Sequence, residues 1–205
     1  MAKFNEIPEG GNGESSKFGL NSFKFDSFSF NEGEYESNKY VQGAFVFSRS
    51  YQTQEGETKD YKQTCWVRLK GITPTDSLWS LKTFLKQFVD VAACVNPEAQ
   101  ETFTELSNTA PEFDESNFES ITNFQKSFLT KLLTPVLGSD VNVVLHWKQG
   151  KDGKWYLNIP DYKENEYKLP FGQNPHIGGK LNKEKGETQK VETVVPAAVA
   201  DPNGW

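Results

Sequence analysis

Apolar and polar residues alternate regularly in three stretches of the chain, and a period of two residues predicts β-strands. The stretches are Tyr40–Tyr51, Tyr61–Lys70 and Val141–Tyr162. The last contains two alternating runs joined around Asp152-Gly153, a pair of residues suited to a tight hairpin turn. A short polar segment separates the first two stretches, so we expect these strands to pair antiparallel.

A phenylalanine-rich segment precedes the first of these stretches. Phe23 and Phe25 fall on one face of an extended chain, whereas Phe28 and Phe30 fall on the other. A β-bulge near Asp26-Ser27 would bring all four rings to one face. The segment is therefore interpreted as an additional strand, with an arm that docks on a partner as the alternative.

Apolar residues at three- and four-residue spacing predict two helices between residues 75 and 137, with a short third helix near Glu101–Leu106. The first helix should begin at Thr75 or Asp76. The second should begin at Ser116, since Ser116 and Glu119 have the spacing of a capping box. The apolar stripes are expected to face the protein core. Their members are Leu78, Leu81, Leu85, Phe88, Ala92 and Val95, then Phe118, Ile121, Phe128 and Leu132.

Together these elements predict a mainly β fold with a helical insertion, of the α+β class. We expect a flexible N-terminal arm with a Phe-rich segment over residues 1–30. An antiparallel β-barrel should follow over residues 31–174, with its helices inserted at 75–137 between the strand pairs. Residues 175–205 lack periodic apolar content, which predicts a disordered tail.

Composition excludes several classes of protein and site. No apolar run approaches the roughly 20 residues that span a bilayer, and the N-terminus lacks the apolar core of a signal peptide. The two cysteines and two histidines are far apart, so no metal site and no cofactor are expected. No P-loop, dinucleotide-binding glycine pattern or catalytic triad is recognisable, so we expect that the protein is not an enzyme. We also expect it in the cytoplasm.

Charge is distributed unevenly along the chain. The net charge is −6, which by itself argues against binding of nucleic acid. Residues 38–70, however, hold six Lys and Arg against three acidic residues, and residues 143–162 hold three against two. The positive charge thus coincides with the predicted strands.

Cations flank aromatic residues on the predicted polar faces of these strands. Bases of single-stranded nucleic acid stack on aromatic rings while cations follow the phosphates, so these faces predict a binding surface. Its candidate residues are Arg49, Lys62, Trp66, Arg68, Lys70, His146, Lys148, Lys154 and Tyr156. Trp147 and Trp155 fall on the opposite, apolar face and are expected in the core. The alternative is an ordinary half-buried sheet whose lysines only improve solubility.

The strands Tyr40–Tyr51, Tyr61–Lys70 and Val141–Ile159, with helices inserted between them, make the chain similar to phage single-stranded DNA-binding proteins with an oligonucleotide-binding (OB) fold. The resemblance implies a barrel groove, no cofactor, and coating of single-stranded DNA during replication or recombination in the host cytoplasm. It also implies recruitment of replication or recombination proteins by the aromatic end of the tail, here Trp205. Oligomers are compatible with this interpretation. The competing hypothesis is a virion structural or assembly protein built on a β-sandwich.

Overall fold

The computed structural model describes residues 18–52, 56–70, 77–176, 180–181 and 189–190. Most of its strands form one antiparallel sheet in the order β3-β2-β1-β4-β5, and a short strand, β6, also pairs with β4. The strands are β1 (Gly19–Tyr35), β2 (Asn38–Gln52), β3 (Thr58–Arg68), β4 (Asp140–Gln149), β5 (Trp155–Asn158) and β6 (Phe171–Gly172). The mainly β class and the antiparallel pairings of the predicted strands are confirmed.

The Phe-rich segment forms the middle of the sheet as part of β1. Its register against β2 shifts between Phe25 and Ser27, where Asp26 is the extra residue of a β-bulge. The shift changes the phase of alternation, so Phe23 and Phe25 are fully buried and Phe28 and Phe30 pack against the same core. The strand interpretation and the predicted bulge are confirmed.

β1 and β2 form a long hairpin closed by a two-residue turn. Glu36 and Ser37, the turn residues, have φ angles of +49° and +64°. Turns of this length match the twist of a hairpin when both residues adopt positive φ, which glycine and asparagine tolerate best. The turn is therefore formed by residue types that are not the favoured ones.

The two outer strands, β3 and β5, approach each other without a backbone ladder between them. They run in the same direction, since each is related to β1 through two antiparallel pairs. The Gln63 side chain bridges them: its amide nitrogen donates to the Leu157 carbonyl at 3.0 Å, and its oxygen accepts from the Ile159 N–H at 3.2 Å. The Tyr61 hydroxyl also donates to the Leu157 carbonyl at 2.8 Å. Within the described residues the sheet is thus not a closed barrel, and side chains join its edges.

In the described residues between β3 and β4 there are three α-helices: α1 (Leu78–Ala92), α2 (Ala99–Ser107) and α3 (Phe118–Leu133). The expected short helix is confirmed as α2. The predicted capping box at Ser116 is wrong, because Asp114 instead accepts from the Asn117 N–H and caps a 3-10 turn that leads into α3. The α1 stripe also differs at its start, since Leu78 is exposed and α1 is capped by Ser77.

The core lies between the helices and the inner face of the sheet. Phe45 contacts Phe88 of α1 and Phe171 of β6, each with ring centroids 5.4 Å apart. Phe47, two residues further along the same face of β2, packs on Phe171 with ring centroids 4.8 Å apart. These rings fix one face of β2 inward, and so they turn the alternate residues of β1, β2 and β3 outward.

One predicted domain boundary is corrected by these elements. The boundary at residue 30 falls inside β1, so the Phe-rich segment belongs to the sheet and not to an arm. Within the predicted tail, Lys180–Leu181 and Gln189–Lys190 pair as short strands β7 and β8 with Leu181 buried, and most of the other residues after 176 lie outside the described part of the chain. Trp205 lies outside the described residues. No described helix combines the length and the apolar character needed to cross a bilayer.

Candidate nucleic-acid interface

The outer face of β1, β2 and β3 carries an exposed aromatic residue on β3, the strand at the edge of the sheet. Trp66 lies on β3 opposite Ala44 of β2, and Ser29 of β1 is the next residue across the sheet. The indole is 43% exposed, and the small side chains beside it leave its ring accessible. The alternation that predicts an outward Trp66 is confirmed; its role in binding stays a prediction.

Tyr40 supports a second outward group, the guanidinium of Arg68. The carbon at the centre of this guanidinium lies 5.2 Å from the centroid of the Tyr40 ring, within cation–π range. On its other side Tyr40 meets Gly33, its partner on β1. A Cβ atom at Gly33 would lie 2.4 Å from the ring carbon Cζ, so the ring occupies space that only glycine leaves open. Arg68 is thus held beside Trp66, two residues away on the same strand face.

Lys62 lies on the same face of β3, but it is neutralised by a nearby carboxylate. Its Nζ is 2.9 Å from Oδ2 of Asp26, which the bulge in β1 turns outward. Ser48 donates to the other Asp26 oxygen at 3.4 Å. The hydrogen bond and charge of Asp26 raise the pKa of Lys62. This end of the outer face therefore contains an internal ion pair.

The rest of the outer face carries no acidic side chain. It comprises the outward positions of the described strands from Val46 of β2 to the β1–β2 turn. The only charge along it is Arg68, and it ends at Tyr35, which is 67% exposed. We call this set the outer aromatic surface: Ser27, Ser29, Asn31, Gly33, Tyr35, Asn38, Tyr40, Gln42, Ala44, Val46, Thr64, Trp66 and Arg68.

Two other predicted residues near these strands lie elsewhere. Arg49 pairs with Tyr61 across β2 and β3, which places it on the opposite face from Trp66. Lys70 follows β3, and its Nζ lies 5.3 Å from the ring centroid of Tyr167. The structure therefore brings Trp66 and Arg68 together but does not add Arg49 to them.

The predicted polar face of β4 is covered, and this corrects the expected exposure of His146. The imidazole is 3% exposed, and its Nε2 lies 3.7 Å from the Glu164 carboxylate. Burial lowers the pKa of His146 below its usual value, although the Glu164 charge opposes the shift. Lys148, the next outward residue, is bound by Asp161 at 2.8 Å and by Glu164 at 3.1 Å. His146 is thus not on the surface, and the charge of Lys148 is compensated.

Tyr156 is exposed on β5, opposite Lys148, but it is held by the hairpin turn. Its hydroxyl donates to Asp152 at 2.7 Å, and its ring lies so close to Gly150 that a Cβ there would be 2.9 Å from Cε2. The bond to Asp152 raises the pKa of Tyr156. Lys154 is exposed nearby in sequence. This hairpin offers an accessible ring, but one whose hydroxyl is bound by the Asp152 carboxylate.

Trp147 and Trp155 are half-buried on the other face of this hairpin, so the prediction that they are core residues holds only in part. Trp147 faces Leu157 across the strand pair, and Leu157 packs against the core cluster. Both tryptophans therefore lie at the margin of the core.

An open cavity of about 430 Å³ borders Tyr40 on the side of β1 and α3. Three glutamates line it, namely Glu32, Glu34 and Glu119. These carboxylates disfavour the binding of a phosphate in the cavity. On the β1–β2 hairpin, a phosphate would bind more favourably at the outer aromatic surface. Among the residues with described positions, no group of His, Cys, Asp or Glu is arranged to hold a metal ion.

Sequence reasoning did not select Gly33, Tyr35 or Tyr40 as site residues. A signal for Tyr40 was present, since it continues the alternation of β2 on the face opposite Val41. Its contact with Arg68 depends on the register between β2 and β3, which no local pattern specifies. Comparison of the chain with protein-family models, curated proteins and solved structures gives no match.

Proposed function

We propose that the protein binds single-stranded DNA, without strong sequence preference, on the outer aromatic surface. The observation that carries the proposal is Trp66, exposed on the outer face of the edge strand β3, with Arg68 two residues away and no acidic side chain among the described residues of the outer aromatic surface. Aromatic rings stack on any base, and a guanidinium can contact either phosphate or base, so this pair suits a strand of arbitrary sequence.

The arrangement of strands supports an OB-like fold as part of the same proposal. Five strands follow one another in the order β3-β2-β1-β4-β5, and Gln63 links the two outer strands where a barrel would close. OB folds are five-stranded, partly open barrels that bind oligonucleotides on the face of their second and third strands. Trp66 and Arg68 lie on the corresponding face, that of β2 and β3.

Such binding would protect exposed strands during phage DNA replication or recombination, with no cofactor and no catalytic step. Partner proteins would be recruited by the segment after residue 175 through Trp205, since large aromatic residues are enriched where a few contacts carry most of the energy of an interface. The proposal places the protein in the cytoplasm of the host cell.

Fluorescence anisotropy with a labelled single-stranded oligonucleotide tests the proposal. We expect binding that weakens as salt rises, because phosphate contacts release counterions. Trp66→Ala should lower affinity by about 5- to 150-fold, which corresponds to 1–3 kcal/mol per stacked base. The free energy of unfolding, measured in urea, should change little, since the ring is exposed.

Trp79 provides the matched control. It is 75% exposed on α1, outside the proposed surface, so Trp79→Ala should leave affinity unchanged. Absence of binding to a long oligonucleotide at low salt would refute the proposal. Equal losses of affinity for the Trp66 and Trp79 variants would refute the assignment of the surface.

A further inference from the structure

We infer that Gly33 is a positioning residue of this surface, and that Arg68, held by Tyr40 over Gly33, is the cation that contacts the DNA backbone in preference to Lys62. The inference rests on the proposed function, because it concerns how the same surface binds its strand. It assigns different roles to two cations that the sequence pattern treats alike.

The first step is the difference in charge around the two cations. Lys62 and Arg68 lie on one face of one strand, six residues apart in sequence. Asp26 is 2.9 Å from the Lys62 ammonium, and the charge of Asp60 also acts on it. Among the described residues, no carboxylate forms an ion pair with Arg68. A DNA phosphate would have to displace Asp26 to bind Lys62, but it can approach Arg68 without displacing any partner.

The second step is the geometry that holds Arg68. β2 lies between β1 and β3, so the Tyr40 ring meets Gly33 on one neighbouring strand and Arg68 on the other. A guanidinium that rests on a ring loses less freedom on binding than one that is unsupported, since its plane is already oriented. Trp66 is two residues from Arg68, about 7 Å along the strand, so one nucleotide can reach both side chains.

The third step is the space at Gly33. A methyl group there would lie 2.4–2.9 Å from Tyr40 atoms Cζ, Oη and Cε1, all of them near the outer end of the ring. Gly33 does not have a positive φ angle, so alanine can adopt its backbone conformation without a penalty. The substitution should therefore move the Tyr40 ring away from its support of Arg68 while the sheet stays folded.

The salt dependence of binding separates the two cations. Arg68→Gln should weaken binding about tenfold at low salt and reduce the slope of log affinity against log salt by about 0.7, the loss of one phosphate contact on a single strand. Lys62→Gln, the matched variant, should change affinity less than twofold and leave the slope unchanged. Equal effects of the two substitutions would overturn the inference, even with Trp66 behaving as proposed.

A double-mutant cycle tests the positioning role. Gly33→Ala should weaken binding severalfold in the wild-type background and have no further effect when combined with Arg68→Gln. Tyr40→Phe, which keeps the ring, should bind as the wild type does, whereas Tyr40→Leu should resemble Gly33→Ala. Additive losses from Gly33→Ala and Arg68→Gln would show that Gly33 acts independently of Arg68 and would refute its role. If the wild-type chain binds no DNA, the proposed function itself has failed.

Discussion

Replacing Gln63 by methionine should destabilise the protein, because this side chain joins β3 to β5. Methionine has nearly the same length and shape but cannot form the hydrogen bonds of the amide, which joins β3 to Leu157 and Ile159 and also donates to the Tyr61 hydroxyl. The Ile159 N–H would lose its acceptor at 3.2 Å, and the Leu157 carbonyl would lose one of its two donors. Gln63 and Ile159 are both buried, so water does not readily replace these bonds.

The size of the effect follows from the two bonds that cross from β3 to Leu157 and Ile159. A buried N–H group left without a partner costs about 1–3 kcal/mol, and an ordinary hydrogen bond contributes about 1 kcal/mol. The Leu157 carbonyl keeps the Tyr61 hydroxyl and so is not left without a donor. The free energy of unfolding should therefore fall by about 2–4 kcal/mol, which lowers Tm by on the order of 10 °C.

Urea unfolding followed by tryptophan fluorescence measures this change. Thr64→Val is the matched control, since Thr64 is the next residue of β3 and lies on the exposed face; it should change stability by less than about 0.5 kcal/mol. If Gln63→Met lowers the free energy of unfolding by less than about 0.5 kcal/mol, the bonds between Gln63 and the β5 side do not stabilise the sheet as proposed. Adding Tyr61→Phe should then cost more than in the wild type, because the Leu157 carbonyl would lose its remaining side-chain donor.

Two further predictions concern other parts of the fold. Gly172→Ala should lower the free energy of unfolding by about 2–4 kcal/mol, because φ at Gly172 is +145° and the new Cβ would lie 2.2 Å from the Asp90 carboxylate, which accepts from the Asn174 N–H. Gly138→Ala is the control: φ there is +79° and no atom lies within 4 Å of the new Cβ, so the substitution should cost only about 1 kcal/mol. Stability should also fall as pH drops below about 6.5, because burial lowers the native pKa of His146 and the unfolded chain then binds more protons. Urea titrations from pH 5 to 8 should show that the free energy of unfolding falls with falling pH in the wild type and falls less steeply in His146→Gln. If the pH dependence is the same in both proteins, groups other than His146 cause it.

Alternation along the sequence predicted those elements whose burial depends on one inner face. β2 and β3 have such a face, and even the bulge at Asp26 follows from the need to bury phenylalanines on both sides of it. The prediction failed at His146, which belongs to a strand that is buried on both faces. The residues that cover His146, including Glu164, come from a stretch without periodicity, so no local sequence pattern predicts this contact.

The candidate site was predictable in its residue types but not in its pairings. Trp66 and Arg68 are outward because β3 alternates, and this is visible in the sequence. The partner of Lys62 is Asp26, 36 positions away in sequence, and the support of Arg68 is Tyr40 on another strand. Ion pairs and ring contacts between distant residues depend on the register of the sheet, which a count of local charges does not contain.

The bulge at Asp26 also determines how relatives of this chain would be recognised. Strand β1 is one element whose apolar positions change parity once, in the run Phe23-Lys24-Phe25-Asp26-Ser27-Phe28-Ser29-Phe30. A sequence search that assumes strict alternation would assign the residues on one side of the bulge to the wrong face of the sheet. A search for two Phe-x-Phe doublets separated by two polar residues keeps both halves in phase, and it retains the aspartate that the slip turns toward Lys62.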